Sequence, residues 1–347
     1  MHSFSDINKT LAAQPPRVGT LLRTINTGHG REQLFAEQVP QLLESLAETT
    51  RVASIQASTA IEGYDVPDQR AERIARDGGA HFRNRNEREF AGYRDAIDAI
   101  ARELELSRIT PPYPLVLNGS VHRYTTGEPG RIKTDDNRIV SFENGVKRII
   151  FETVPWQYAE SALRSLIEGY NQALDAEAAD PILLLGIFML DFLAIHPVAD
   201  GNGRVSRLLT VHEMLRMGYG VARYVSVEQL IFDSKNSYYE ALEQSQRGWH
   251  DAGHDVWPWL TYFTTILAEA YKTFEARVAG ARAQHGSKAD RVSEWALHEA
   301  PREFRFQEAV TALPGISSAT IRAALNGLRD EGAFEATRGA RALWRRL

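Results

Sequence analysis

Residues 195–207 read IHPVADGNGRVSR, and strongly apolar segments flank them on both sides. In the preceding segment, Ile182–Ile195, and in the following one, Leu208–Met217, apolar residues recur at i, i+3 and i+4 over several turns. This spacing is typical of amphipathic or buried helices. The sequence therefore predicts a short loop between two helices, and the loop lies at the N-terminus of the second helix.

The glycines of this loop make it suitable for binding an anion. Gly201 and Gly203 can adopt a positive φ, which turns backbone N–H groups outward at the start of a helix. Such a loop can hold a phosphate group. Arg204 and Arg207 lie three residues apart on the helix that follows, so both guanidinium groups project from one face beside the loop.

Two further side chains add chemistry to the loop. His196 precedes Pro197, which disfavours a helical conformation and places the imidazole in the loop, within reach of a reacting group. Asp200 offers the hard oxygen ligand that Mg²⁺ prefers when it also binds phosphates. The alternative is a plain Gly-Asn turn with solvated arginines, but the combination of a base, a metal ligand and a phosphate loop favours a reactive site.

The stretch closely resembles the signature of the Fic (filamentation) family, His-Pro-Phe-x-Asp/Glu-Gly-Asn-Gly-Arg-x-x-Arg. Every functional position of that signature is filled, and the one departure is Val198, where the family usually has Phe. That phenylalanine packs beneath the loop, so Val198 bears on the rigidity of the loop more than on its chemistry. The resemblance implies a mainly α fold, with a Fic-type helical core and a β-hairpin flap.

The resemblance also implies an activity, protein adenylylation. ATP and Mg²⁺ would bind the loop, a Ser, Thr or Tyr hydroxyl of a target protein would attack the α-phosphorus, and pyrophosphate would leave. In this interpretation His196 is the general base for the hydroxyl. Asp200 holds Mg²⁺ against the phosphates.

The remaining signature residues are assigned to the nucleotide by the same resemblance. Gly201, Asn202 and Gly203 would stabilise the charge that develops on the α-phosphate. Arg204 and Arg207 would clamp the outer phosphates in bidentate fashion.

A second motif lies N-terminal to the core. Residues 51–63 are predicted to form a short helix, in which Gly63 is a suitable C-terminal residue and Glu62 is unfavourably placed against the helix macrodipole. The stretch from Ser58 to Gly63 resembles the Ser/Thr-x-x-x-Glu-Gly/Asn inhibition motif of one class of Fic proteins. That resemblance implies that Glu62 pairs with Arg207 and prevents the γ-phosphate from binding productively; a solvated glutamate is the alternative.

Residues 127–155 favour a β-hairpin, because Asn144-Gly145 is a strong turn signal between β-branched residues. In Fic proteins the corresponding region is a flap over the active site, on which the target segment docks by strand addition. The flap would occupy about residues 131–140. An ordinary surface hairpin is the alternative.

The segment 236–242, NSYYEAL, resembles the helix that lines the adenine pocket in Fic proteins. Tyr239 corresponds to an adenine-contacting tyrosine and Gln246 to a polar position with the same purpose, although aromatic residues at helical spacing are more often part of a core. His250 and His254 have the i, i+4 spacing of zinc ligands, but glycine and acidic neighbours favour a polar loop.

The C-terminal part of the chain has its own pattern. Residues 280–288 are small and polar and favour a linker, and three short helices are predicted after it, at 291–298, 306–311 and 318–329. Residues 338–341, RGAR, lie between apolar positions like the tip of a two-stranded wing. The pattern resembles a winged-helix module with its recognition helix at 318–329; its near-neutral charge leaves DNA binding and protein docking both open.

The composition of the chain limits the class of protein to which it can belong. With 347 residues, 43% of them hydrophobic and 24% charged, the chain has the composition of a globular protein of about two domains. A net charge of −5 argues against general binding to nucleic acid or to a membrane surface, and the absence of cysteine excludes disulfides. No signal peptide or membrane-spanning run is visible, so a cytoplasmic location is expected.

The predicted organisation has three parts. Residues 1–110 form a helical arm, with residues 1–30 draped over the core and the inhibitory helix at about 51–63. Residues 111–280 form the catalytic core with the flap, and residues 288–347 form the winged helix. The expected partners are the target proteins and a second copy of the chain in a homodimer, with DNA at the winged helix left open and no membrane.

Other functions stay open at this stage. A Fic-type enzyme could remove AMP from targets or transfer another nucleotide or a phosphate group. The chain could instead be a winged-helix regulator with a Fic sensing core, or the toxin of a toxin–antitoxin pair. The inhibitory motif within the chain, Ser58–Gly63, argues against the toxin, because such toxins usually take this helix from a partner.

Overall fold

The computed structural model describes residues 2–38, 40–77, 81–103, 105–127, 129–143, 146–284, 288–337 and 343–347. The chain divides into two compact units, Met1–Phe274 and Glu275–Leu347. The first unit is built almost entirely of helices and the second is a small mixed unit. This is the mainly α architecture that the sequence predicts, and it is confirmed.

Most of the first unit consists of helices of three or more turns, and one β-hairpin interrupts the series of helices along the chain. In chain order the helices are α1 His2–Ser5, α2 Ile7–Thr10, α3 Pro16–Gln38, α4 Pro40–Ile61, α5 Asp68–Asp77, α6 Arg85–Arg102, α7 Tyr113–Val121, α8 Trp156–Asp175, α9 Pro181–Ile195, α10 Asn202–Arg216, α11 Val227–Asp233, α12 Lys235–Gln246 and α13 Trp257–Gln284.

Helix α9 lies at the centre of the core. Every residue from Ile182 to Ile195 is buried, so this helix is apolar all round and is surrounded by its neighbours α8, α10 and α12. Its start is well defined, because Pro181 occupies the first turn and the Asp180 carboxylate accepts a hydrogen bond from the N–H of Ile182 at 2.9 Å. The central position of α9 fixes where the signature loop begins.

The N-terminal residues form helices that pack against the core, whereas the sequence predicts an arm that is draped over it. Helix α3 runs without interruption through Gly28. A Cβ at Gly28 would lie 2.6 Å from the Tyr271 ring, so glycine permits close helix packing there and marks no turn. Further upstream, the Ser3 hydroxyl donates to the buried Asp191 carboxylate at 2.8 Å, which anchors α1 to the central helix α9.

Helix α4 is one continuous helix of 22 residues from Pro40 to Ile61. The sequence predicts a separate short helix at residues 51–63, and this is wrong because the helix begins at Pro40. The predicted end is nearly right: Gly63 has φ +85°, and the N–H of Tyr64 donates to the Thr59 carbonyl at 3.0 Å. The long helix carries Glu62 just past its last residue.

The hairpin consists of β1 Arg138–Glu143 and β2 Val146–Glu152, paired antiparallel with Arg138 opposite Glu152. The pairing is irregular between Ile139 and Val140. The predicted Asn144-Gly145 turn lies outside the described residues. Strand β1 begins at Arg138, so only the last three residues of the stretch 131–140 assigned to the flap lie in a strand.

The second unit combines short helices with a three-stranded antiparallel sheet of order β3-β5-β4. Its elements are α14 Lys288–Glu294, a π-helical turn Trp295–Glu299, β3 Glu303–Arg305, α15 Phe306–Ala312, α16 Ser318–Asp330, β4 Phe334–Ala336 and β5 Leu343–Arg346. Its core is apolar and includes Phe304, Ile321, Leu325, Phe334 and Trp344.

The winged-helix interpretation of this unit stays a prediction, and the wing tip predicted at 338–341 lies outside the described residues. Strand β3 was not predicted, because three residues carry too little periodicity to be recognised. The predicted linker begins later than expected, since helix α13 extends to Gln284. Within the described part of the chain, no helix has the length and apolar character needed to cross a bilayer.

Candidate active site

The signature loop joins the C-terminus of α9 to the N-terminus of α10, as predicted. His196 follows the last residue of α9 with φ 54° and ψ 60°, a left-handed conformation that is strained for a residue with a side chain. Gly201 has φ 89° and precedes the first residue of α10, Asn202. The first-turn N–H groups of α10 have no intrahelical acceptor, so they and the helix dipole favour an anion at this point.

The loop is held rigid by the side chain of Asn202. Its Oδ1 accepts from the N–H of Val198 at 3.1 Å, and its Nδ2 donates to the Val198 carbonyl at 2.7 Å. Both residues are buried. Replacing the usual Phe with Val198 therefore leaves the loop packed and cross-linked, and the amide of Asn202 serves this internal bracing.

Residues that the sequence analysis did not single out brace the loop from the hairpin side. Lys133 is buried, and its Nζ donates to Thr153 Oγ1 and Asn137 Oδ1 at 2.8 Å each and to the Ile195 carbonyl at 3.2 Å. Its backbone N–H donates to the Pro197 carbonyl at 2.9 Å. Burial lowers the pKa of Lys133 to about 8. No sequence signal identifies this lysine, since its partners are distant along the chain.

Helix α7 holds the other side of the loop. The Asn118 amide donates to the Asp200 carbonyl at 2.8 Å, and His122 Nε2 lies 3.3 Å from the same oxygen. A Cβ at Gly201 would lie 2.8 Å from His122 Nε2. Gly201 is thus required both for its positive φ and for this close approach.

The imidazole of His196 is set for a role as a base. Its Nδ1 lies 3.2 Å from the Leu193 carbonyl oxygen, and because a carbonyl only accepts, Nδ1 carries the proton and Nε2 keeps its lone pair. Burial lowers the pKa of His196 to about 4, and the charge of Lys133 acts in the same direction. The ring is partly exposed at the cleft and is neutral at physiological pH.

A cleft of about 850 Å³ opens over the loop. This size suits a small-molecule ligand. Most of the predicted site residues line it together with the hairpin and helix α12: Glu62, His196, Asp200, Gly201, Asn202, Gly203, Arg207, Tyr239 and Gln246.

Arg204 is the predicted residue that the structure does not bring to the cleft. Its side chain is 1% exposed and forms an ion pair with the buried carboxylate of Glu89. Arg204 Nη2 also lies 3.5 Å from His122 Nε2, and its guanidinium carbon lies 5.3 Å from the Tyr64 ring centroid. In this conformation Arg204 braces the loop from below, so the structure gives no support to its predicted contact with the outer phosphates.

Arg207 is held by Ser58 and Glu62 at the end of helix α4. Its Nη2 donates to Glu62 Oε1 at 2.8 Å and to the Ser58 carbonyl at 2.9 Å, and its Nε donates to Ser58 Oγ at 2.8 Å. The predicted contact between Glu62 and Arg207 is thus present in the structure. Arg207 is buried, whereas the Glu62 side chain is 30% exposed.

The Glu62 carboxylate also lies over the first turn of α10. A Cβ built on Gly203 would collide with Glu62 Oε1. The carboxylate therefore occupies part of the region where a phosphate would contact the helix N-terminus. Glycine at 203 leaves room for an anion at this point.

Asp200 lies at the mouth of the cleft with its side chain 58% exposed. Its two oxygens face guanidinium groups, with Arg85 Nη2 at 3.6 Å and Arg204 Nη2 at 3.7 Å. Among the described residues, no three His, Cys, Asp or Glu side chains cluster as a metal site. An ion at Asp200 would therefore take most of its ligands from phosphates and water, as Mg²⁺ does.

Helix α12 forms the far wall of the cleft. Tyr239 is 43% exposed, and both it and its buried neighbour Tyr238 line the cleft. Gln246 is buried, and its Nε2 has no hydrogen-bond partner among the described residues. A buried amide group without a partner is costly, which favours a ligand acceptor at this point. His250 Nε2 donates to the Glu152 carbonyl at 2.7 Å, and among the described residues no cluster of three or more metal-ligating side chains includes this histidine.

The fold and this site define a protein with a glycine-rich loop between two helices and a helical segment whose end lies over that loop. Residues 115–214 match the Fic/DOC family model, and the chain contains a Fic domain. This confirms the family resemblance inferred from the signature.

Solved structures of Fic proteins share the fold. A Fic family protein from Desulfovibrio desulfuricans G20 is 23% identical with a TM-score of 0.61, and the match covers 96% of each chain. A Fic domain containing signaling protein from Bacteroides thetaiotaomicron is 18% identical with a TM-score of 0.61, over 76% of this chain and 98% of that one. Fic-1 from C. elegans (residues 134–508) is 20% identical with a TM-score of 0.58, over 77% of this chain and 74% of that one.

One curated protein also shares a short stretch with this chain. The ribonucleoside-diphosphate reductase small chain of Ostreid herpesvirus 1 is 36% identical over 91 residues. The match covers 22% of this chain and 16% of that protein. Because so little of its length is matched, the comparison carries no argument about activity here.

Proposed function

We propose that this Fic domain is a protein adenylyltransferase, which transfers AMP from ATP to a Ser, Thr or Tyr hydroxyl of target proteins and of itself and is inhibited by Glu62. Fic domain proteins commonly transfer AMP or other groups to proteins. The observation that carries the proposal is the position of the Glu62 carboxylate, which is bonded to Arg207 at 2.8 Å and lies against Gly203.

This position places the carboxylate in competition with a nucleotide phosphate. A guanidinium group that pairs with a carboxylate cannot present the same N–H groups to a phosphate oxygen. The same holds for the N-terminus of α10, where one anion excludes another. A segment of the chain that places an anion here acts as a reversible inhibitor of phosphate binding.

His196 would perform the proton transfer. The Nε2 of its neutral ring takes the proton of the target hydroxyl while the hydroxyl oxygen forms a bond to the α-phosphorus. The bond between the α-phosphorus and the bridging oxygen breaks, and pyrophosphate leaves with the electron pair. The first-turn N–H groups of α10 stabilise the charge on the α-phosphate, and Arg207 binds an outer phosphate once Glu62 leaves.

Asp200 fits a role in holding Mg²⁺, because it is the exposed carboxylate beside the phosphate loop. Bound there with the nucleotide, the ion would neutralise charge on the phosphates. The carboxylate must then exchange its arginine neighbours for the ion. Tyr239 and Gln246 on α12 would contact the nucleoside, with Gln246 supplying the amide that lacks a partner in the described structure.

The proposal is tested with ATP labelled on either the α-phosphate or the γ-phosphate, incubated with the purified protein and a host lysate. Adenylylation transfers the α-label to protein and none of the γ-label. The Glu62→Gly variant supplies the active form, and His196→Ala in that background should lose about 10²–10⁴-fold in transfer while nucleotide binding persists. Transfer of the γ-label, or more than half of the activity in the His196→Ala background, contradicts the proposal.

Removal of AMP is a second candidate, favoured by the exposed Glu62 carboxylate within the cleft, where it can orient a water molecule. Incubating an adenylylated target with wild type and with Glu62→Gly separates the two reactions. A removing enzyme releases AMP only when Glu62 is present, whereas a transferase of the kind proposed is inhibited by Glu62.

The proposal gives the second unit a binding function, with either DNA or another protein as its partner. Several of its arginines are already engaged, since Arg322 stacks on the Phe306 ring at 4.7 Å and Arg345 pairs with Glu303 at 2.7 Å. These contacts leave less positive charge for DNA than the sequence suggests. A mobility shift of DNA by the full chain, retained in His196→Ala, would favour the regulator over the protein-docking module.

A further inference from the structure

Helix α12 begins with Lys235, to which the sequence analysis assigned no role. Its Nζ donates a hydrogen bond to the carbonyl oxygen of Ile61 at 2.7 Å. Ile61 is the last residue of α4, directly before Glu62. Lys235 also lines the cleft, and its Nζ lies 5.9 Å from the Tyr239 ring centroid. One lysine therefore connects the helix of the nucleotide cleft to the end of the inhibitory helix.

The C-terminus of α4 needs positive charge from elsewhere in the fold. A helix ends in carbonyl groups without partners and in partial negative charge, which a cation stabilises. Glu62 adds a full negative charge at the same end, and the last turn of α4 contains no basic residue. Arg207 from α10 and Lys235 from α12 supply the compensation, Arg207 at the carboxylate and Lys235 at the backbone.

We propose that Lys235 is a positioning residue that holds the end of helix α4 against the cleft and thereby keeps Glu62 on Arg207. This inference rests on the proposed inhibitory role of Glu62. Nucleotide binding requires the carboxylate to leave, and the end of α4 must then move or loosen. The bond from Lys235 to Ile61 opposes this movement without contacting Arg207 itself.

The test measures the effect of Lys235→Met in two backgrounds. This substitution keeps a long apolar side chain but removes the positive charge and the hydrogen-bond donor. In the wild-type background we expect AMP transfer to rise about fivefold to tenfold, the effect of losing one charge-assisted hydrogen bond on the equilibrium. In the Glu62→Gly background, where there is no inhibition to relieve, we expect less than about a twofold change.

Two matched variants control for the loss of a lysine. Lys272 on helix α13 has a side chain that is 61% exposed and pairs with Glu269 at 3.5 Å, so Lys272→Met should leave transfer unchanged. Lys235→Arg keeps the charge and a donor and should retain most of the inhibition. An unchanged rate in Lys235→Met overturns the proposal. A fall in both backgrounds also overturns it, since that result shows a lysine that binds the nucleotide.

Hydrogen exchange provides a readout that does not depend on transfer. The amides of Glu62, Gly63 and Tyr64 bond to the carbonyls of Thr59 and Ala60 at 3.0–3.1 Å. Their exchange should accelerate in Lys235→Met by about the factor seen in transfer, and not in Lys272→Met. If exchange accelerates but no variant transfers AMP, the positioning role stands and adenylylation fails; if exchange is unchanged, the positioning role fails.

Discussion

At the scale of the residue, His196 shows how burial and backbone geometry prepare a base. The left-handed conformation turns its ring so that Nδ1 meets the Leu193 carbonyl, and the remaining nitrogen keeps its lone pair. Burial and the nearby Lys133 charge hold the pKa at about 4. The ring is therefore neutral across the physiological range. This makes it a weaker base than an unperturbed histidine but keeps it in the reactive form.

The low pKa of His196 predicts the acid limb of the pH profile. Protonation removes the lone pair, so kcat/KM of Glu62→Gly should change little above about pH 6 and fall as the pH decreases toward about 4. Because the pKa of His196 in the folded protein lies below the ordinary histidine value of 6.5, the same group lowers the free energy of unfolding as the pH decreases through this range. Circular dichroism at each pH separates unfolding from titration. A limb centred near 6.5 in the folded enzyme contradicts the assignment.

Asp200 gives a second prediction at this scale. Asp200→Ala should lower transfer and weaken its dependence on Mg²⁺ together, because an exposed carboxylate beside the phosphate loop is the natural protein ligand of the ion. The measurement is a Mg²⁺ titration of transfer in the Glu62→Gly background. Asp175→Ala, which removes a surface aspartate paired with Arg108 at 2.6 Å, is the control. Unchanged activity in excess chelator excludes the metal.

At the scale of the element, helix α4 is the helix that brings a carboxylate into the cleft. Its 22 residues pack against α6 and α11, and only its last turn reaches the signature loop. A long helix anchored along its length can place a single carboxylate precisely while its end remains able to fray. This explains how Glu62 can be ordered over Gly203 and still be partly exposed.

Glu62→Gly should therefore raise both self-modification and target modification, and Glu62→Asp should raise them less. The reason is that Arg207 becomes available to a phosphate while its bonds to Ser58 keep it in place. Removing a fully buried pair costs roughly 3–5 kcal/mol of stability, but the Glu62 side chain is 30% exposed, so a loss of about 1–2 kcal/mol is expected. Labelled AMP transfer at equal nucleotide occupancy measures the rate. An equal or lower rate in Glu62→Gly would show that Glu62 does not inhibit.

At the scale of the whole molecule, the proposed function implies that docking of α4 and binding of ATP compete within the first unit. A ligand that binds only the folded state stabilises it by RT ln(1 + [L]/Kd), about 2.7 kcal/mol at a hundredfold excess over Kd. Competition with Glu62 raises the apparent Kd for ATP and reduces this stabilisation.

Thermal unfolding can detect this competition directly. At the same ATP and Mg²⁺ concentration, the increase in Tm should be larger for Glu62→Gly than for wild type, although the variant starts from a lower Tm without nucleotide. Adenosine, which lacks all of the phosphates, should stabilise the two proteins by nearly equal amounts. Equal shifts with ATP would mean that Glu62 and the nucleotide do not share Arg207.

The features that could be predicted from the sequence alone are those determined by residues that lie close together along the chain. The loop 195–207 carries its glycines, its pre-proline histidine and its flanking apolar periodicity within a few turns, so the mainly α fold and the loop between two helices followed from local rules. The end of the inhibitory helix followed likewise, because Gly63 and its φ of +85° are a local property of the C-terminus.

Only the tertiary structure decided how the charged groups are partnered, because their partners come from distant parts of the chain. Arg204 and Arg207 look equivalent in the signature, yet Arg204 is paired with Glu89, 115 residues away, and Arg207 with Ser58, 149 residues away. The pKa of His196 depends on its burial among helices that no local pattern describes. Lys133 and Lys235 also acquire their positions through contacts at 62 and 174 residues of separation. Burial and long-range pairing are properties of the packed molecule, and they set which groups can react.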